Sequence, residues 1–354
     1  MADRPTQQWW QPQELARKRP YLDARRAAIK AVRAYFQAEG FAEVETPAIQ
    51  VSPGIERHVR PLAVRLHEPL TEDGLTRYLH TSPEFAMKKL PAGGMEKIMQ
   101  LARVFRDGER SPLHQPEFTM IEWYRAGSDY RVMMDDCVEI LRYVGKAVQR
   151  ALAHDGLWHR GEVSCDVLKA SRRVSVAEAF LRYAKIDLLA VADDPAVLDP
   201  AKFRAAARAE GLHVSDADTW EDIFFRVMID RIEPNLGVGV PTILYEYPAH
   251  LAALARRKPD DPRVAERFEL YVCGVELANA YSELIDPVEQ RSRFEADRAL
   301  HARLYGAAPP VDEDLLEALA CLPPSAGCAL GFDRMVMLAA GAAKITDVLW
   351  SPVV

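Results

Sequence analysis

The segment from Arg103 to Tyr124 restricts the fold more than any other part of this chain. Two apolar runs flank a charged loop, the pattern of an antiparallel hairpin. The first run ends in Arg106. The second begins near Pro116 and carries Glu117, Phe118, Glu122 and Tyr124, with His114 in the loop between them. One short unit thus assembles a cation, a histidine, an aromatic ring and carboxylates. Activation of a carboxylate by a nucleotide uses such a set. The cation neutralises a phosphate, the ring stacks on a base and the carboxylates hold an amine.

A second hairpin is expected over residues 264–285, with its turn near Val272 to Gly274. That turn would bring Glu269 close to Glu276 on the neighbouring strand. Facing like charges destabilise a strand pair unless something compensates them. A magnesium ion on ATP phosphates is one compensator, because it takes a few carboxylates together with phosphate oxygens. Surface pairing of one glutamate with Arg267 or Arg263 is the other, and the residues alone leave the two even.

The rest of the chain reads as helices around these hairpins. Ile29, Val32, Tyr35 and Phe36 have helical spacing within residues 21–39, and Gly40 ends that helix. Residues 41–51 read as a strand interrupted by Pro47. Residues 131–152 read as a helix, and Asp286-Pro287 starts another over 288–304. Ser82-Pro83-Glu84 fits a bend opening a helix, with Glu84 at its N-terminus. Residues 1–20 are expected to be a loose arm, and residues 21–354 a catalytic domain. Residues 153–235, rich in Ala and Asp, are expected to be a helical insertion in that domain. Successive hairpins with helices outside predict an α+β fold.

At 354 residues the chain can bury a large core. A net charge of −7 argues against whole-surface binding of nucleic acid. The basic clusters Arg17-Lys18-Arg19, Arg25-Arg26, Lys88-Lys89 and Arg256-Arg257-Lys258 read singly as solvated surface. Together they could form a docking face for an acidic partner. No run spans a bilayer and no signal peptide is evident, so a cytoplasmic protein is expected. The five cysteines are scattered and read as reduced, mostly buried thiols.

Phe105-Arg106, His114 and Pro116-Glu117-Phe118-Thr119 resemble motif 2 of the class II aminoacyl-tRNA synthetases, most closely the lysyl branch. Gly331-Phe332-Asp333-Arg334 resembles motif 3, and Gly40 to Pro47 is a weaker motif 1. The resemblance runs from about Tyr21 to Pro352. It implies a mostly antiparallel sheet flanked by helices, dimerising through motif 1. It also implies that Arg106 meets the substrate carboxylate and α-phosphate, and that Arg334 meets the terminal phosphates. Both would be catalytic, although a lone arginine is otherwise a surface ion pair. Phe118 would stack on adenine, where its plain alternative is sheet core. Asp107, Gly108, His114, Leu277 and Gly331 would complete the nucleotide site. Glu269 and Glu276 would hold metal and nucleotide. Ser82, Pro83 and Glu84 would meet the substrate α-amino end. Glu122, Tyr124 and Glu283 would hold a distal amine, which implies a basic amino acid.

Two departures from the lysyl pattern bear on this. Arg106-Asp107-Gly108 replaces the usual Arg-Asn-Glu, with Glu109 one place later, so the acid near adenine stays open. Ala329 stands where lysyl-tRNA synthetases have glycine and where the elongation factor P lysine ligases have alanine. With about twenty residues before the first motif helix, no anticodon-reading barrel is expected. The resemblance therefore implies a ligase of that family, using ATP and Mg2+ to join lysine or β-lysine to elongation factor P. It would be a homodimer without stable tRNA binding. A truncated synthetase acting on tRNA and an inactive regulatory relative are the alternatives.

Overall fold

The computed structural model describes residues 8–353, apart from 56–58, 68, 70–73 and 193–197. Its centre is an eight-stranded sheet. In chain order the strands are β1 (Ala42–Glu43), β2 (Lys97–Phe105), β3 (Glu117–Ala126), β4 (Arg172–Ser175), β5 (Thr242–Tyr245), β6 (Arg267–Val272), β7 (Val275–Ser282) and β8 (Ser325–Gly331). Their spatial order is β1-β2-β3-β8-β7-β6-β5-β4. The six strands from β2 to β5 in that order pair antiparallel, and the two outer pairs, β1 with β2 and β5 with β4, are parallel. Both expected hairpins are present, and β8 joins them by pairing with β3 and β7. The α+β expectation holds.

Helix α1 (Pro12–Ala38) starts with proline at its first turn, where the missing N–H costs nothing. It ends before Gly40, whose φ of +75° suits glycine. Residues 12–20, expected in a loose arm, belong to this helix, and residues 1–7 of that arm lie outside the described residues. Tyr35 and Phe36 of α1 pack with Trp123 of β3 and with α3 (Tyr130–Leu152) in the main core. Asp129 caps α3 through the N–H of Arg131. Between β1 and β2 in the chain lies α2 (Glu84–Ala92), and Ser82 just before it donates to Glu122 of β3.

The segment 153–235 is not wholly helical. It contains a small hairpin (158–160 with 163–165), and its residues 172–175 are β4 of the main sheet. Four residues, of which only Val174 is buried, carry too little pattern to reveal β4 in the sequence. Helices α4 (Pro200–Ala209) and α5 (Trp220–Val227) follow as expected. Phe180, Phe203, Trp220 and Phe224 form a second core that also takes in Leu244 and Tyr271 of the sheet. Asp286 caps α6 (Pro287–Tyr305) through two backbone N–H groups, as Asp286-Pro287 predicted. A short α7 (Glu313–Leu319) packs on α2, and β8 runs directly into α8 (Phe332–Ala339).

The basic clusters are not simply solvated. Lys18, Arg25 and Lys88 are buried, because each finds a partner far away in sequence. Lys18 donates to the carbonyl of Leu349. Arg25 lies 2.5 Å from Asp333 and donates to Thr119 Oγ1 at 3.0 Å. Asp333 also accepts from the Thr119 N–H at 2.8 Å, which ties α1, β3 and α8 together. Removing one partner of such a buried pair strands the other charge. Arg25→Met is expected to destabilise the protein by about 3–5 kcal/mol, read as the shift of the urea midpoint. A loss under about 1 kcal/mol would place this pair with ordinary surface bridges.

Candidate active site

A cavity of about 530 Å³ opens on the face of the sheet formed by β3, β8, β7 and β6. Strand alternation puts Phe118, Met120, Glu122 and Tyr124 on that face of β3. Across the sheet Ala329 pairs with Glu122, and Gly327 with Tyr124. A Cβ at Gly327 would come within 2.4 Å of the Tyr124 ring and 2.7 Å of Glu283 Oε1. The glycine is thus required by the close approach of those two side chains.

Glu269 and Glu276 both line the cavity, but not as direct cross-strand partners. Glu269 pairs with Asn279, and Glu276 with Tyr271, with a shift of register after Leu270. Leu277 is the extra residue of this bulge. Without it, strand alternation would turn Glu276 away from Asn279 and Tyr281; with it, all three share the cavity face. Glu269 accepts from Arg267 at 2.6 Å, Tyr247 at 2.5 Å and Tyr271 at 2.7 Å. The expected alternative, pairing with Arg267, does occur, but inside the molecule. Burial, and then the charge of Glu269, push Glu276 up to about 7, against the lowering influence of Arg334 and Arg267.

At one end of the cavity Ser82 and Tyr124 both donate to Glu122, Tyr124 at 3.0 Å. Burial, then the charge of Glu84, push Glu122 up to about 8. Tyr281 donates to Glu84 at 2.5 Å. At the other end Arg106 lies over Phe118, 5.3 Å from the ring centre. Arg334 contacts His114 and donates to the carbonyl of Glu276. Burial and the Arg334 charge lower the His114 pKa, which keeps that ring neutral. Gly331 lines the cavity with φ of −70°, and a Cβ there would meet Arg334 at an ordinary 3.7 Å. Space toward the cavity, not backbone strain, is what this glycine provides.

The predicted residues mostly converge: Ser82, Glu84, Arg106, His114, Phe118, Glu122, Tyr124, Glu269, Glu276, Leu277, Gly331 and Arg334 all line this cavity. Four do not. Pro83 is the N-cap of α2 and shapes the bend. Asp107 is drawn aside by Arg60 at 2.9 Å, and Gly108 makes the turn with φ of +78°. The lining acid of this loop is Glu109, 3.8 Å from Arg106. Glu283 stands behind the wall, 2.6 Å from Lys88, with Oε1 lacking a hydrogen-bond partner. Asn279 and Tyr281 also line the site and were signalled by their period-two spacing. Glu221 and Phe225 of α5 reach its rim from the insertion with no local signal.

Glu269 and Glu276 are the residues of this cavity that could hold a divalent cation. Among the described residues no group of three His, Cys, Asp or Glu side chains forms a metal cage. Two carboxylates on one face, open toward the cavity, instead suit a cation that also takes phosphate oxygens. Among the described residues no helix is long and apolar enough to cross a membrane.

Comparison with known proteins matches residues 10–354 to the family model described as tRNA synthetases class II (D, K and N). The chain is similar to a protein named elongation factor P--(R)-beta-lysine ligase from Yersinia enterocolitica, 39% identical over 333 residues, covering 93% of this chain and 94% of the relative. Proteins of the same name from Pectobacterium atrosepticum and Salmonella typhi are 38% identical over 346 residues and 36% over 343, each covering 96% of both chains.

Proposed function

This chain belongs to the class II tRNA synthetase family (D, K and N), within its elongation factor P--(R)-beta-lysine ligase branch, and on that premise we propose that it is an ATP-dependent ligase. It activates lysine or (R)-β-lysine and joins it to a lysine side chain of elongation factor P. One observation carries the substrate class: carboxylates Glu84 and Glu122 at one end of a single cavity, and Arg106 and Arg334 at the other.

A diamino acid lies with its amines toward Glu84 and Glu122 and its carboxylate toward Arg106. A carboxylate oxygen attacks the α-phosphorus of ATP, the bond to the β-phosphate breaks, and pyrophosphate leaves. The acceptor amine then attacks the acyl carbon, AMP departs and the amine loses a proton. Arg106 neutralises charge on the carboxylate and α-phosphate, and Arg334 on the leaving phosphates. Phe118 stacks on adenine. Glu269 and Glu276 would hold a magnesium ion, which when bound would supply charge neutralisation on the phosphates. Positioning and electrostatics suffice, with no enzyme nucleophile. The reading includes a cytoplasmic homodimer that holds no tRNA stably.

The test incubates the enzyme with ATP and radiolabelled β-lysine, and in parallel α-lysine, with either elongation factor P or total tRNA. Label on a protein lysine is expected. ATP-dependent label on tRNA, with none on the factor, would make this a tRNA-aminoacylating enzyme. No pyrophosphate exchange with any amino acid would mark an inactive relative.

A further inference from the structure

Behind the amine end of the cavity is a lysine to which the reaction above assigns no part. Lys88 lies one turn after Glu84 on α2 and is 3% exposed. Its Nζ is 2.5 Å from Glu84 Oε1 and 2.6 Å from Glu283 Oε2. It is also 5.3 Å from the centre of the Tyr281 ring. The remaining charged groups around it are accounted for. β3 brings Glu122 and Tyr124, which are bonded to each other. Asp312 and Asp314, beside α2, are bound to Lys89. Burial alone would lower the Lys88 amine, but the charges of Glu283 and Glu84 more than offset it and keep the ammonium charged.

We infer that Lys88 is a positioning residue that sets the charge of the amine end, its ammonium lying between Glu84 and Glu283 and cancelling one of the three negative charges that Glu84, Glu122 and Glu283 can carry. This rests on the diamino-acid reading above. With a diamino acid bound, the three carboxylates, then all ionised, and Lys88 leave two negative charges, which the two ammonium groups cancel. Uncancelled charge in such a site is costly, and the usual response is for a carboxylate to retain a proton. Lys88 also fixes where the charge sits. It tethers Glu84 from one side while Tyr281 donates to the same carboxylate at 2.5 Å.

Lys88→Met keeps the length of the stem and removes the charge. The carboxylates then lack their internal cation, and one of them keeps its proton at neutral pH even with the substrate bound. In pyrophosphate exchange kcat/KM for lysine is expected to fall at least about tenfold, and the acid limb of its pH profile to move up by about one unit. KM for ATP is expected to stay at the wild-type value. Lys88→Arg keeps a cation and is expected to leave the acid limb in place. A folded Lys88→Met protein with the wild-type pH profile and kcat/KM would overturn the inference. Wild-type protein that exchanges with no diamino acid would remove the reading it rests on, a distinguishable result. If circular dichroism shows Lys88→Met unfolded, Lys88→Arg decides alone: an acid limb moved upward in that variant overturns the inference, and one left in place supports it.

Discussion

Glu276→Gln is expected to lower ATP–pyrophosphate exchange by about 10²–10³-fold or more and to bring AMP production to background. Glu276 is the carboxylate that the bulge at Leu277 turns into the cavity. Its neighbour Glu269 is already engaged by Arg267, Tyr247 and Tyr271. The two therefore differ in what they can offer a cation. Glu269 is a fixed anion whose orientation three donors determine, and Glu276 is the one pushed up to about 7 by burial and by that anion. Glutamine retains the shape but cannot supply the charge that a magnesium ion on ATP phosphates would require. Calorimetric titration with ATP and Mg2+ separates this from a folding defect: the variant is expected to lose metal-dependent nucleotide binding while keeping the wild-type melting temperature. Near wild-type exchange would sink the metal assignment.

Local patterns were legible wherever the determining residues were near each other in sequence. The motif 2 hairpin, the Asp286-Pro287 helix start and the Gly40 stop all depend on a few adjacent residues, and each is where it was expected. Long-range features were not. A simple hairpin closed by Val272 and Val275 would pair Glu269 with Ala278, and the bulge moves that partner to Asn279. Nothing in residues 267–282 announces that extra residue. Arg25 looked like surface because its partner Asp333 is 308 positions away. The sequence leaves the acid near adenine open because Arg60, from another segment, pairs with Asp107 and leaves Glu109 on the cavity side. Charges in this chain are placed by tertiary partners, and the sequence displays those partners only when they share a turn or a strand.

Glu122→Gln is expected to reduce kcat/KM for lysine by about 3–5 kcal/mol, the usual loss when a buried charge pair loses one member, or roughly 10²-fold or more. With norleucine, which has no distal amine, the loss should be small, so the lysine-to-norleucine ratio is the informative quantity. Equal use of both by the unmodified enzyme would refute selection of an amine. The pH behaviour follows from the free pocket. Burial, and then Glu84, push Glu122 up to about 8, and burial, with Glu84 opposed by Lys88, pushes Glu283 up to about 8 as well. Carboxyls raised in this way contribute stability that is fully present below their unfolded range near 4.5 and is lost as pH rises through about 8. The substrate-free enzyme is therefore expected to lose stability between pH 5 and pH 9, in part through these two groups. An ammonium entering at neutral pH favours the ionised form and expels a proton from Glu122. Calorimetry of lysine binding at pH 7 in two buffers of different ionisation enthalpy should then show net proton release, and Glu122→Gln should remove most of it. Binding with no proton exchange would mean that Glu122 is already ionised in the free pocket, and that the amine is selected by some other group.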